Sequence, residues 1–117
     1  MLKTKRVYEN KKANDGTRFL VERLWPRGIK KDELKMKAWL KDVSPSPALR
    51  KWFAHDPAKW GEFQKRYRAE LKANRDAWKP IVEAARRGDV TLLYSAHDTE
   101  HNSALVLKTF LEKHLGK

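Results

Sequence analysis

The stretch Val90–Ser95, VTLLYS, constrains this chain more than any other feature. It is β-branched and aliphatic without polar alternation, and Gly-Asp and His-Asp flank it. A strand with one wet face alternates. A continuous apolar run of this length suits a parallel strand covered on both faces. Parallel strands need crossover connections, so the rest of the chain must supply further strands and helices. Two N-terminal segments qualify as strands, Leu2–Glu9 and Phe19–Leu24. Asn14-Asp15-Gly16 between them is a turn signal that closes either a hairpin or a short loop. Glu22 and Arg23 are unusual inside a buried strand and mark one that is ending and entering a site. Trp25-Pro26-Arg27-Gly28 must be a loop, because Pro26 cannot donate to a ladder. Lys30–Leu34 is expected to form a short turn of helix, and Met36–Val43 is ambiguous between strand and helix.

The middle of the chain reads as helical. Ser46 is a good N-cap with Pro47 behind it, and Leu49, Trp52 and Phe53 form an i, i+3, i+4 stripe. Asp56-Pro57 repeats that logic before Trp60, Phe63, Tyr67 and Leu71. Trp78, Ile81, Val82 and Ala85 mark a third helix ended by Gly88 as a C′ residue. After VTLLYS, Asp98 or Thr99 is expected to cap a last helix that buries Ala104, Leu107, Leu111 and Leu115. Glu100 falls in its first turn and Lys113 in its last. The expected fold is one α/β domain over residues 1–117. It has a small, mostly parallel sheet flanked by helices in a Rossmann-like three-layer arrangement, with a helical middle insertion.

In such sheets ligands bind at the carboxyl ends of the strands. That rule singles out ERLWPRG, after FLVE, and AHDTEHN, after VTLLYS. In the first, Arg23 and Arg27 lie four residues apart across a proline turn, and guanidinium groups recognise phosphate or carboxylate bidentately. Trp25 would stack on a ligand ring or wall off solvent. Glu22 would orient an arginine or act as a base. The bland alternative is a structural ion pair in a tight turn, with Trp25 in the core. In the second stretch, His101 and Asn102 would lie in the first turn of a helix, where free N–H groups and the dipole favour an anion. There His101 would serve as acid or base near neutral pH. HDTEH also spells a zinc-peptidase pattern, but His97 precedes the expected cap and is not expected to be helical, so no metal site is expected. His55 is read as structural and His114 as surface. No cofactor motif is present: there is no G-x-G-x-x-G and no P-loop.

Composition sets the remaining bounds. There are no cysteines, which excludes disulfides and thiol chemistry. MLKTKRVYEN lacks the apolar segment of a signal peptide and no run is long enough to span a bilayer, so a cytoplasmic protein without membrane association is expected. The net charge is +12. Residues 1–50 hold 14 Lys and Arg against 6 Asp and Glu, residues 51–88 hold 10 against 5, and the last 29 hold 3 against 4. Such a balance attracts nucleic acid, acidic proteins or anionic metabolites, or serves solubility. Most of the tryptophans fall on helical stripes and so belong to the core, which weakens a base-stacking reading.

Taken together, RLWPRG, WLKD, PSPALRKWF, HDP, LLY and EHNSALVL resemble the YeaO-like branch of domain-of-unknown-function family 488, from Val7 to Leu111. The resemblance implies a small cytosolic protein of bacterial or archaeal type with a Rossmann-like fold, and no particular reaction. Broader relatives carry Cys-His-Arg after the last strand where this chain has Glu100-His101-Asn102, so thiol chemistry does not carry over. Glu22 stands where similar sequences often have Asp, which keeps the carboxylate. His97 stands where Lys is common.

Two functions follow as expectations. The first is a pocket for a small anionic or phosphate-bearing ligand, formed by Arg23, Arg27, Trp25, His101 and Asn102 with Tyr8, Arg18 and Glu22 nearby. If it works as an enzyme, His101 or Glu22 supplies the acid–base chemistry. The second is a basic module that binds nucleic acid or an acidic partner without catalysis.

Overall fold

The computed structural model describes residues 1–116. Four strands, β1 (Leu2–Arg6), β2 (Thr17–Leu20), β3 (Ala38–Trp39) and β4 (Val90–Tyr94), form one sheet in the order β1-β4-β2-β3. Every neighbouring pair is parallel. β4 is VTLLY, and all five of its residues are buried because it pairs on both edges. The α/β class and the parallel sheet are as the sequence implies. Asn14-Asp15-Gly16 closes no hairpin. A 3-10 turn at Ala13–Asp15 carries the chain back to start β2 in parallel, and β4 fills the place between β1 and β2. Gly16 makes this return: its φ is +67°, and a Cβ there would lie 2.1 Å from the Asp89 carbonyl oxygen.

Four helices, α1 (Pro47–Phe53), α2 (Trp60–Ala73), α3 (Arg75–Arg87) and α4 (Ser103–His114), follow the stripes read above. Ser46 caps α1, its Oγ accepting from the Leu49 N–H, with Pro47 at the first position. Gly88 ends α3 in an extended conformation (φ 170°) rather than the left-handed one. All four helices pack on one face of the sheet, against Leu2, Phe19, Val90, Leu92 and Tyr94.

The other face is organised differently. Val7, Leu20 and Leu93 are covered there by Leu34 and by Trp25, Ile29, Met36 and Trp39 from irregular chain and β3. The third layer is therefore loop, not helix, and Lys30–Leu34 forms a turn (Glu33 N–H to the Lys30 carbonyl, 3.0 Å) instead of a helix. The physical reason is that the rest of this face is polar. Strand register puts Lys5, Arg18 and Thr91 on it, and a buried carboxylate, Asp15, gathers them. Asp15 accepts from Arg18 Nη1 at 2.8 Å and from Lys5 Nζ at 3.1 Å, and its carbonyl accepts from Thr91 Oγ1 at 2.8 Å. Burial pushes the Asp15 carboxyl up. The Lys12 backbone N–H and the Lys5 and Arg18 charges outweigh this, and the net value lies below the ordinary carboxylate range. No helix among the described residues is long and apolar enough to cross a membrane.

Candidate functional site

A cleft of about 740 Å³ opens at the carboxyl ends of β2 and β4, where the strand-end rule points. Its size is that of an ordinary small-molecule site. The floor is aromatic. Phe53 at the end of α1 stacks on Phe63 of α2 with ring centroids 4.3 Å apart, and Tyr94 at the end of β4 lines the cleft beside them. Burial raises the Tyr94 hydroxyl above its ordinary range, so it stays protonated at neutral pH.

One wall is Ser44–Pro45, leading into α1. Arg23 holds this wall from behind, donating to the Ser44 carbonyl at 3.1 Å and the Pro45 carbonyl at 3.3 Å. On the rim stand Arg50 and Lys51, from the last turn of α1, and then His55. Ala54 (φ 48°) and His55 (φ 56°) are successive non-glycine residues in left-handed backbone. Such backbone costs roughly 1–3 kcal/mol per residue and concentrates where a site demands it. Here it turns the chain out of α1 and brings His55 to the cleft.

The opposite wall runs from Ser95 to Asp98 and from His101 to Ser103. Asp98 does not cap α4. It accepts from the backbone N–H groups of Glu100 and His101, each at 2.9 Å, in an Asx-type turn. Those two bonds, aided by the His101 ring, hold its carboxyl below the ordinary range. Its other oxygen lies 3.1 Å from His101 Nδ1 and fixes that ring's orientation. The cap is Asn102, whose Oδ1 accepts from the Leu105 N–H at 3.0 Å while its Nδ2 donates to the Asp98 carbonyl at 3.0 Å. Glu100 and His101 therefore precede α4 instead of standing in its first turn, because Asp98 draws their amides into its own turn. Ser103, at the start of α4, lines the cleft beside the helix's uncapped first amides.

Of the residues singled out in the sequence, Glu22, His101 and Asn102 line this cleft. Glu22 joins the ends of β2 and β4: its Oε1 accepts from the Ser95 N–H at 2.8 Å and from Ser95 Oγ at 3.1 Å. The remaining five lie outside. Arg18 is only 5% exposed and is committed to Asp15, because the return turn places that carboxylate against it. Trp25 packs edge-on against Trp39, 5.3 Å away, and donates to the Ile29 carbonyl. Tyr8 donates to the Arg27 carbonyl, and Arg27 itself is exposed. Arg23 acts through the Ser44–Pro45 wall. Arg50 and Lys51 were missed and His55, read as structural, stands on the rim: all three are distant in sequence from both strand ends, and the left-handed corner that delivers His55 carries no glycine to signal it.

The arrangement has a charge surplus. The two carboxylates in the lining, Glu22 and Asp98, are both engaged. Among the described residues, Arg50 and Lys51 enter no ion pair, and neither they nor His55 and His97 form a side-chain hydrogen bond. The chain matches, over residues 1–117, the family described as "Inactive DUF488-N3 subclade". It belongs to the DUF488 family. Among curated proteins, this DUF488 chain is 43% identical over 110 residues to "Uncharacterized protein YeaO" of Escherichia coli K12, covering 94% of this chain and 96% of that one. It is 39% identical over 106 residues to "Uncharacterized protein Rv3073c" of Mycobacterium tuberculosis H37Rv and to "Uncharacterized protein Mb3100c" of Mycobacterium bovis. Each of these alignments covers 91% of this chain and 89% of the relative. No solved structure matches this DUF488 chain.

Proposed function

We propose that the cleft binds a small phosphate-bearing ligand and holds it without turning it over. One observation carries the reading: unpaired cations, Arg50 and Lys51, share the cleft with an aromatic floor and with Ser103 at the start of α4, while both lining carboxylates are already satisfied. An anionic group would sit between the α1 rim and the first amides of α4, within reach of His101. The apolar body of the ligand would lie on Phe53 and Phe63. The Asp98–His101 pair is also the arrangement that acid–base catalysis uses. Against that role, Glu22 is tied to a backbone amide and a hydroxyl, and the matched subclade is described as inactive.

Calorimetric titration with inorganic phosphate and a set of aromatic phosphate monoesters tests this. The esters are expected to bind more tightly than phosphate. R50A/K51A is expected to weaken them by about 10- to 100-fold, the worth of one or two charge-assisted hydrogen bonds. Absence of binding, or binding indifferent to both cations, would overturn the proposal. Product formation that depends on His101 would overturn its non-catalytic half.

A further inference from the structure

We infer that a second site, a basic groove along α3, docks on the phosphate backbone of double-stranded nucleic acid. It is independent of the cleft. α4 begins at the cleft and ends with His114 at the groove, so its 12 residues separate the two by roughly 18 Å. The groove has a volume of about 300 Å³. Lys72, from the last turn of α2, and Arg75, Lys79 and Arg86, along α3, line it with one carboxylate, Glu83. All four cations are exposed. Among the described residues none of them enters an ion pair or a side-chain hydrogen bond. Arg75 and Lys79 stand one helical turn apart, where like charges repel, and among the described residues the nearby acids, Asp76 and Glu83, form no ion pair with either. A partner carrying a row of negative charge would.

The geometry selects the partner. Arg75 to Arg86 spans roughly 16 Å along the helix axis, more than one phosphate can bridge. A duplex backbone, with one negative charge per ~1.7 Å of axis, presents several phosphates over such a length. A protein partner would need an apolar anchor at the centre of the contact, but the large ring here, Trp78, is buried and donates to the Leu71 carbonyl. His114 and Phe110 close over that ring, with centroids 4.6 and 5.3 Å from it. With Trp78 covered, the groove also offers no indole platform to an unpaired base. Backbone charge on a duplex is what remains to be recognised, and it is recognised without sequence preference.

Fluorescence anisotropy with a labelled duplex of arbitrary sequence, repeated across a salt series, tests this. Four contacts predict a slope of log K against log salt of about −3.6. R75Q/K79Q/R86Q keeps good helix formers in α3 and is expected to flatten the slope by about 2.7 and to weaken binding at least tenfold at about 50 mM salt. K11Q/K31Q/K35Q removes the same net charge from exposed positions outside the groove, and its slope is expected to stay within about half a unit of the parent. If the triple groove variant fails to fold, each single variant is expected to flatten the slope by about 0.9. No binding by the parent chain at low salt would overturn the inference, as would equal loss in the control triple. So would a polyglutamate peptide that competes better than the duplex at equal charge, which would point to an acidic protein instead.

Discussion

Replacing Asp15 with alanine removes the centre of the polar half of the sheet's second face. The carboxylate accepts from Arg18 Nη1 at 2.8 Å, from Lys5 Nζ at 3.1 Å and from the Lys12 N–H at 3.2 Å. Without it, the Arg18 guanidinium stays buried with no counter-charge, and its Nε already has no hydrogen-bond partner. Removing one partner of a buried pair costs about 3–5 kcal/mol, most of it the penalty of the orphaned charge. With an unfolding entropy of about 2.1 cal/mol/K per residue, this lowers the melting temperature of a chain of 117 residues by roughly 12–20 °C. Calorimetric melts of D15A and of the double variant D15A/R18M at neutral pH measure it. The double variant is expected to recover at least about 1 kcal/mol over D15A, because methionine no longer demands a partner. The pH dependence has a definite sign. The folded value lies below the ordinary 3.8, so the stabilisation is present above that ordinary value and is lost as pH falls through the lowered folded one. The gap between parent and D15A therefore closes in acid. A loss under about 1 kcal/mol, or a double variant no better than the single, would refute the idea that charge burial governs this face.

Substitutions at three further positions probe the return turn before β2, the junction of the strand ends and the corner after α1. G16A forces a Cβ to within 2.1 Å of the Asp89 carbonyl oxygen at φ +67°, and is expected to cost on the order of 3 kcal/mol or to prevent folding, as read by urea denaturation. E22A strips the acceptor from the Ser95 amide and hydroxyl, and is expected to cost about 1–3 kcal/mol in the same assay. E22Q, which keeps an acceptor oxygen, is expected to cost distinctly less. A54G relieves left-handed strain at the corner between α1 and α2, and is expected to raise stability by about 1 kcal/mol. A destabilised A54G would show that the corner is not strained.

Local rules carried the fold where a residue's partner lies nearby in sequence. VTLLY reads as a parallel strand from its composition alone, and Ser46-Pro47 caps α1 through an amide three residues away. They failed where the partner arrives from elsewhere. Arg18 is conspicuous on a strand leading to a candidate site. Only the return turn, which swings Asp15 under the sheet, makes it structural. Asp98 is a good capping residue, but its Oδ1 is taken by the Glu100 and His101 amides, and Asn102, read as a first-turn residue, caps α4 instead. The site was half legible for the same reason. His101 and Glu22 sit at strand ends and were found by the strand-end rule. Arg50, Lys51 and His55 reach the cleft through a left-handed corner written Ala54-His55, where local sequence gives no warning. The second face escaped a helical layer because Lys5, Arg18 and Thr91 let polar contacts cover what apolar helices cover on the first.

The measurement that bears most directly on the cleft is a crystal structure of the chain soaked with phosphate. The anion is predicted to lie between the Arg50 and Lys51 side chains and the first amides of α4, with the His101 ring turned towards it by Asp98. A cleft left empty while phosphate occupies other surfaces of the same crystal would contradict the account.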